Sequence, residues 1–197
     1  MSIIRRHLLS SSLAAVAVGM TLLDSKHAAA SAPGTDRALL ATGPWAEASR
    51  RAGGIDPWLL YAIALYETAD SAGPGTIRPY PWALCFSGRN VRCGSRAEAA
   101  AHLADVTDTT NVDIGLMQVN WAAHHDRVAS PSALLDPVRN LFVGADILCA
   151  ALASAGLDLV LGVGRYHSWD EARARAYGLG VFALYLRLQH HLTLGPS

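Results

Sequence analysis

The segment from Trp58 to Glu67, WLLYAIALYE, constrains the fold more than any other part of the sequence. Nine apolar residues run without a break and end at a carboxylate. Asp56 and Pro57 precede them and are typical of a helix N-cap and a first helical position, so we predict a helix that runs to about Ala69. A helix that is apolar on all sides is buried. The chain must therefore surround this helix and accommodate one acid at its C-terminal end.

The N-terminus has the features of an export signal. Arg5 and Arg6 precede an apolar stretch, LLSSSLAAVAVGMTLL, and the small residues that follow predict cleavage after Ala30. Residues 1–30 are therefore predicted to be a signal peptide, and the mature protein is expected in the periplasm. An uncleaved membrane anchor is the alternative, which Asp24 and the serines of the apolar stretch disfavour.

The composition narrows the class of protein. The 197 residues carry 16 basic and 16 acidic side chains, which is not the basic footprint of nucleic-acid binding. No C-x-x-C or H-E-x-x-H spacing occurs, so we expect no metal site. Residues 178–183 match the dinucleotide-binding pattern G-x-G-x-x-A, but no strand is predicted before them, and we expect no cofactor.

Export places the cysteines in an oxidising compartment, where a disulfide can form. Cys85 and Cys93 are the simplest pair, which would leave Cys149 as a free thiol. The segment ALCFSGRNVRC suggests a small β-hairpin that turns at Ser87 and Gly88. A two-residue turn would place Cys85 opposite Asn90, so either the turn is longer or the disulfide lies elsewhere.

Helix signals dominate the rest of the chain. Residues 31–53 are predicted to be a helical segment with a break near Gly43 and Pro44, and residues 54–190 form the main domain. Capping boxes at 95–98 and 168–171 open two helices, Asp136 with Pro137 opens a long helix to about residue 155, and Asp158 starts a short one. Residues 70–82 are rich in Gly and Pro and read as a loop. The expected fold is one mainly α domain with one small hairpin.

Glu67 is the strongest candidate for a catalytic residue. The other glutamates have simpler explanations, since Glu98 and Glu171 complete the capping boxes and Glu47 lies on a polar stretch. Burial and the carbonyl-rich end of the helix both disfavour the carboxylate and raise its pKa. A carboxyl group that stays protonated near neutral pH is what a general acid requires. The alternative is a glutamate that emerges at the surface where the helix ends.

Two further segments carry chemistry. The first runs from Asp113 to Asn120, DIGLMQVN, whose amides at Gln118 and Asn120 suit the hydroxyl and acetamido groups of sugars. The second, GRYHS, contains Tyr166, which could hydrogen-bond a buried carboxyl group. Taken alone, the first segment is equally compatible with a turn between helices in which Met117 fills the core.

The order of these segments resembles that of the soluble-type lytic transglycosylases, which are lysozyme-like muramidases that act on peptidoglycan. The resemblance rests on five successive elements: GIDPWLLYAIALYET, VDIGLMQVNW, LLDPVRNLFVGADIL, GVGRYHS and the late Tyr177. It covers about residues 54–185. The insertion IRPYPWALCFSGRN followed by SRAEA is similar to that of the small members that accompany type IV secretion and conjugative-element systems.

The resemblance implies a role for each matching residue. Glu67 matches the single catalytic acid and base, Asn140 matches a structural support, and Tyr166 matches the tyrosine that hydrogen-bonds the catalytic carboxyl group. Gly115 would let the backbone approach the glycan. The family usually has Asn where this chain has His167, whose role stays open. The expected substrate-binding residues, including Asn120 from its amide chemistry, are Thr68, Gly115, Met117, Gln118, Asn120, Tyr166 and Tyr177.

The implied reaction cleaves the bond between N-acetylmuramic acid and N-acetylglucosamine and leaves a 1,6-anhydro product. The implied partners are peptidoglycan strands and components of a secretion or conjugation apparatus. Two alternatives remain open from the sequence. One is a lysozyme-type hydrolase in which Asp113 positions water, and the other is a non-catalytic glycan-binding scaffold.

Overall fold

The computed structural model describes residues 40–73 and 76–193. The predicted signal peptide at residues 1–30 and the first part of the predicted helical segment, up to residue 39, lie outside the described residues. Within them, seven complete α-helices, a further helical stretch at residues 40–42 and six short strands make a mainly α fold with a small β component, as the sequence predicts.

The helices follow the predicted order closely. Residues 40–42 are helical, and the predicted break falls at Gly43. The seven helices are α1 (Pro44–Arg51), α2 (Pro57–Thr68), α3 (Arg96–His102), α4 (Trp121–His124), α5 (Pro137–Ala155), α6 (Leu159–Arg165) and α7 (Glu171–Thr193). Two 3₁₀ turns, His125–Arg127 and Pro131–Leu135, lie between α4 and α5.

Polar caps start most of these helices at the predicted residues. The Asp56 carboxylate accepts a hydrogen bond from the Trp58 amide at 2.9 Å, and Asp136 and Asp158 cap α5 and α6 in the same way. Ser95 caps α3. The predicted capping box at Ser168 is wrong, because Asp170 accepts the hydrogen bond from the Arg173 amide instead.

The strands are more numerous than predicted. The strands β3 (Ala83–Phe86) and β4 (Arg89–Arg92) form the predicted hairpin, and both turn residues, Ser87 and Gly88, have positive φ. Strands β5 (Val112–Ile114) and β6 (Val119–Asn120) extend this hairpin into a sheet with the order β4-β3-β5-β6.

The predicted loop at residues 70–82 contains a second hairpin. Strands β1 (Ala69–Gly73) and β2 (Thr76–Pro79) pair antiparallel directly after α2. Their sequences show no alternation of apolar and polar residues, so the pairing depends on backbone hydrogen bonds that the side-chain pattern does not reveal.

The predicted disulfide between Cys85 and Cys93 is not formed, and all three cysteines are free thiols. The hairpin register explains this result. Cys85 pairs with Asn90 across the two-residue turn, while Cys93 lies beyond the end of β4, where its amide donates to the Trp82 carbonyl. The two sulfur atoms therefore belong to different cross-strand positions.

The core surrounds α2, as its apolar sequence requires. Leu60, Ile63 and Leu65 are buried in α2. Leu60 and Ile63 belong to a hydrophobic cluster to which all seven helices and the four-stranded sheet contribute. Helix α7 packs against α6 and α2. A Cβ atom on Gly178 would lie 2.1 Å from the Val160 carbonyl oxygen, so close helix packing accounts for this glycine of the G-x-G-x-x-A match.

Among the described residues, α5 is the one helix with the length and hydropathy to cross a membrane. That is weak evidence for a span, because a core helix of a globular domain meets the same criteria, and much of α5 is buried.

Candidate active site

The last turn of α2 brings Glu67 to the edge of a small polar cavity. The cavity has a volume of about 70 Å³, and its walls come from the β3–β4 hairpin and from the turn before β6. Its lining residues are Glu67, Ala83, Leu84, Asn90, Val91, Arg92 and Gln118. A larger and more open cavity, of about 470 Å³, lies beside α3, and no carboxylate lines it. The chemistry therefore points to the cavity at Glu67.

Tyr177 holds the Glu67 side chain in place. Its hydroxyl donates a hydrogen bond to Glu67 Oε1 at 2.5 Å, and its side chain is almost completely buried in α7. The sequence assigned this role to Tyr166, which is wrong: the Tyr166 hydroxyl donates to the Met117 carbonyl at 2.6 Å. Both tyrosines lie near the acid, but only Tyr177 donates to it.

The protein environment raises the pKa of Glu67 from 4.5 to about 7. Burial is the largest cause, because it disfavours the charged form. The hydrogen bond from Tyr177 acts in the opposite direction, and the negative charge of Asp113 adds a smaller increase. A substantial fraction of Glu67 is therefore protonated at neutral pH, as the helix sequence predicted.

Asn140 organises the segment between β5 and β6. Its side-chain amide donates to the carbonyls of Ile114 and Leu134, and its carbonyl accepts from the Met117 amide at 2.8 Å. The side chain is completely buried. All of its hydrogen bonds go to the protein backbone, so Asn140 acts as a structural support.

Gly115 serves this support, and its expected approach to the glycan stays a prediction. Its φ of +80° disfavours other residues, and a Cβ atom would lie 2.4 Å from Asn140 Nδ2. Glycine is therefore required so that the Asn140 amide can approach the turn.

Two of the expected substrate-binding side chains belong to the core. Met117 is completely buried against Gly144 of α5. Thr68 is 1% exposed, and its hydroxyl lies within hydrogen-bond distance of the Ala64 and Leu116 carbonyls while it accepts from the Tyr80 amide. Neither side chain is available to a ligand, so these two assignments are wrong.

Gln118 lines the cavity with an unusual backbone. Its φ is +46°. Its side-chain nitrogen, Nε2, donates to the backbone carbonyls of Gly115 and Ala83 at 2.7 and 3.1 Å. These bonds fix the side chain across the cavity wall. Within residues 40–73 and 76–193, no hydrogen bond to its side-chain oxygen is found, so that oxygen is the part of Gln118 best placed to accept a bond from a ligand.

Asn120 is committed to the protein. Its side-chain oxygen caps α4 by accepting a hydrogen bond from the Ala123 backbone amide, and its side-chain nitrogen donates to the side chains of Asn111 and Asp113. Asn120 was expected to contact the substrate, but its side chain instead hydrogen-bonds the Asp113 carboxyl group. Burial raises the pKa of Asp113, and the hydrogen bond from Asn120 opposes that increase.

Two aromatic residues around the acid were not assigned to the site from the sequence. The ring of His167 stacks on the ring of Tyr177, with the two ring centroids 4.8 Å apart and an interplanar angle of 2°. Tyr66 contacts the ring of Tyr177 edge-on. Burial lowers the pKa of His167, and Arg173 lowers it further. His167, whose role the sequence left open, thus packs its ring against the tyrosine partner of Glu67.

We compared the chain with protein-family models, with curated proteins and with solved structures, and found no match. The resemblance to the soluble-type lytic transglycosylases therefore rests on the sequence elements themselves.

Proposed function

We propose that this protein is a peptidoglycan lytic transglycosylase in which Glu67 serves as both acid and base. The observation that carries the proposal is the pKa of Glu67, about 7, at the edge of a polar cavity. A buried carboxyl group is costly for a fold to maintain, and general acid catalysis at neutral pH accounts for it. The lysozyme-like fold class belongs to the same proposal.

In this mechanism, protonated Glu67 donates its proton to the glycosidic oxygen. The acetamido group of the substrate stabilises the charge that develops at the anomeric carbon. The Glu67 carboxylate then removes the proton from the C6 hydroxyl, which closes the 1,6-anhydro ring. Tyr177 donates to Glu67 Oε1 and so orients the carboxyl group, which leaves Oε2 for the proton transfers.

The size of the cavity is compatible with a mechanism in which Glu67 transfers the protons and a hydroxyl of the substrate closes the ring. A volume of about 70 Å³ has room for a few water molecules, so the cavity can hold the reacting oxygen while most of a glycan strand lies outside it. The ring would lie across the cavity mouth, within reach of Asn90, Arg92 and the side-chain oxygen of Gln118. An intramolecular nucleophile needs no ordered water beside it.

A lysozyme-type hydrolase is the second candidate, because Asp113 is close enough to raise the pKa of Glu67. A glycosidase with two carboxyl groups needs the second one ionised. Burial raises the pKa of Asp113, and the hydrogen bond from Asn120 opposes that rise. The same bond occupies Oδ1, an oxygen that a water-activating carboxylate would use, and this occupation favours the transglycosylase.

Mass spectrometry of digested peptidoglycan tests the proposal. The protein should release muropeptides that are lighter than the hydrolytic products by one water, and Glu67→Gln should release none. Glu47→Gln makes the same substitution on the exposed surface of α1 and should leave the products unchanged. Products with reducing ends would establish the hydrolase, and no products from any variant would favour the scaffold.

The periplasmic location and the link to a secretion or conjugation apparatus rest on the predicted signal peptide and on the resemblance at residues 77–90. Deletion of the gene should reduce conjugative transfer or secretion, and expression of the Glu67→Gln variant should not restore it. Unchanged transfer in the deletion strain would contradict this part of the proposal.

A further inference from the structure

Three side chains of metal-binding type come together where β4 leads into α3. The Cys93 sulfur, a Glu98 carboxylate oxygen and a His102 ring nitrogen all lie within 4.8 Å of one another. Ligands of a tetrahedral zinc ion, at bond lengths of about 2.0–2.3 Å, are themselves about 3.5 Å apart. Glu98 and His102 are exposed, so a bound ion would close this difference mainly by rotation of the His102 ring.

The local fold already orients two of these groups. Cys93 is completely buried, its amide donates to the Trp82 carbonyl, and its carbonyl accepts from the Tyr80 hydroxyl. Glu98 Oε2 accepts from the Gly94 amide at 2.7 Å, which is the kind of outer hydrogen bond that fixes metal-binding carboxylates. Glu98 and His102 are four residues apart and share one face of α3.

We propose that Cys93, Glu98 and His102 bind one zinc ion, with water in the remaining position. A thiolate, an imidazole and a carboxylate form a donor set that suits zinc, and the thiolate disfavours magnesium and calcium. The Cys93 thiol releases its proton to solvent when the metal binds, and no oxidation occurs. The spacing C-x₄-E-x₃-H differs from C-x-x-C and H-E-x-x-H, which is why the sequence does not predict a metal site.

The β3–β4 hairpin connects the proposed zinc site to the cavity at Glu67. Asn90, Val91 and Arg92 of β4 line the cavity at Glu67, and Cys93 is the next residue. A zinc ion would tie the end of this strand to α3 and so brace one wall of the cavity. The proposal does not depend on the reaction at Glu67, because metal binding is measured directly.

Titration with Co²⁺ and then Zn²⁺ tests the site, using the protein purified without a polyhistidine tag. We expect one ion per chain, a thiolate-to-cobalt charge-transfer band, and loss of that band when Zn²⁺ displaces Co²⁺. Loss of an outer hydrogen bond commonly costs 10–100-fold in affinity, so loss of a ligand in Cys93→Ala or His102→Ala should cost at least about 100-fold.

Cys85→Ala and Cys149→Ala are matched controls and should retain the band. His102→Ala removes an exposed side chain, so it tests the site even if Cys93→Ala fails to fold. Absence of the charge-transfer band in the unmodified protein would overturn the proposal. Retention of the band in Cys93→Ala, or unchanged affinity in His102→Ala, would overturn it as well.

Discussion

Replacement of Glu67 by Gln should stabilise the protein above neutral pH while it removes the acid. The pKa of Glu67 rises from 4.5 in the unfolded chain to about 7 in the folded protein. Between these values the folded state holds a proton that the unfolded state has lost, so stability falls as the pH rises. Above the folded pKa the carboxylate is charged in both states, and its full burial cost is present.

The magnitude follows from the size of the shift. A rise of about 2.5 pKa units at about 1.36 kcal/mol per unit amounts to about 3 kcal/mol of free energy of unfolding. Glutamine has no such titration. The stability of Glu67→Gln relative to the unmodified protein should therefore increase by about 3 kcal/mol between pH 4 and pH 8.

Urea denaturation at several pH values, followed by tryptophan fluorescence, measures this difference. Other titrating groups are present in both proteins and largely cancel, and the charge of Asp113 is the smallest of the causes that act on Glu67. Glu47→Gln shows how much of any change is not specific to the buried position. A difference between the two proteins that stays constant within about 1 kcal/mol would refute the argument from burial.

Two other substitutions test the surroundings of the acid. Tyr177→Phe removes the hydrogen bond that favours the Glu67 carboxylate, so the alkaline limb of the activity profile should move to higher pH while the maximal rate falls about tenfold or more; an unchanged profile would contradict this. Gly115→Ala adds a Cβ atom against Asn140 at a φ of +80°, so denaturation should show a loss of more than about 2 kcal/mol. Gly156→Ala also has positive φ but open space around it, so it should lose less, and equal losses would show that the contact with Asn140 is unimportant.

Most of the helical framework could be predicted from the sequence because its signals are local. Asp56, Asp136 and Asp158 each form a cap with a backbone amide two or three residues away, and the apolar run of α2 reports its own burial. Strands β1 and β2 could not be predicted, since their pairing depends on backbone bonds between segments without a clear side-chain period.

The candidate site shows the same distinction. Glu67 could be found because desolvation at the end of an apolar helix is visible in one segment. The role of Tyr177 as the hydrogen-bond donor to Glu67, in place of Tyr166, could not be predicted, because it depends on how α7 packs against α2 and α6. Burial of Thr68 and Met117 likewise depends on elements distant in sequence, so a motif match alone does not separate core residues from residues that face a ligand.

The partner of Glu67 lies 110 residues further along the chain, on the last helix. A chain that has been synthesised only as far as α6 therefore contains the acid but lacks the hydroxyl that orients it. The pair is complete only when α7 docks on α2. Assembly of the acid and its partner is thus tied to folding of the domain as a whole.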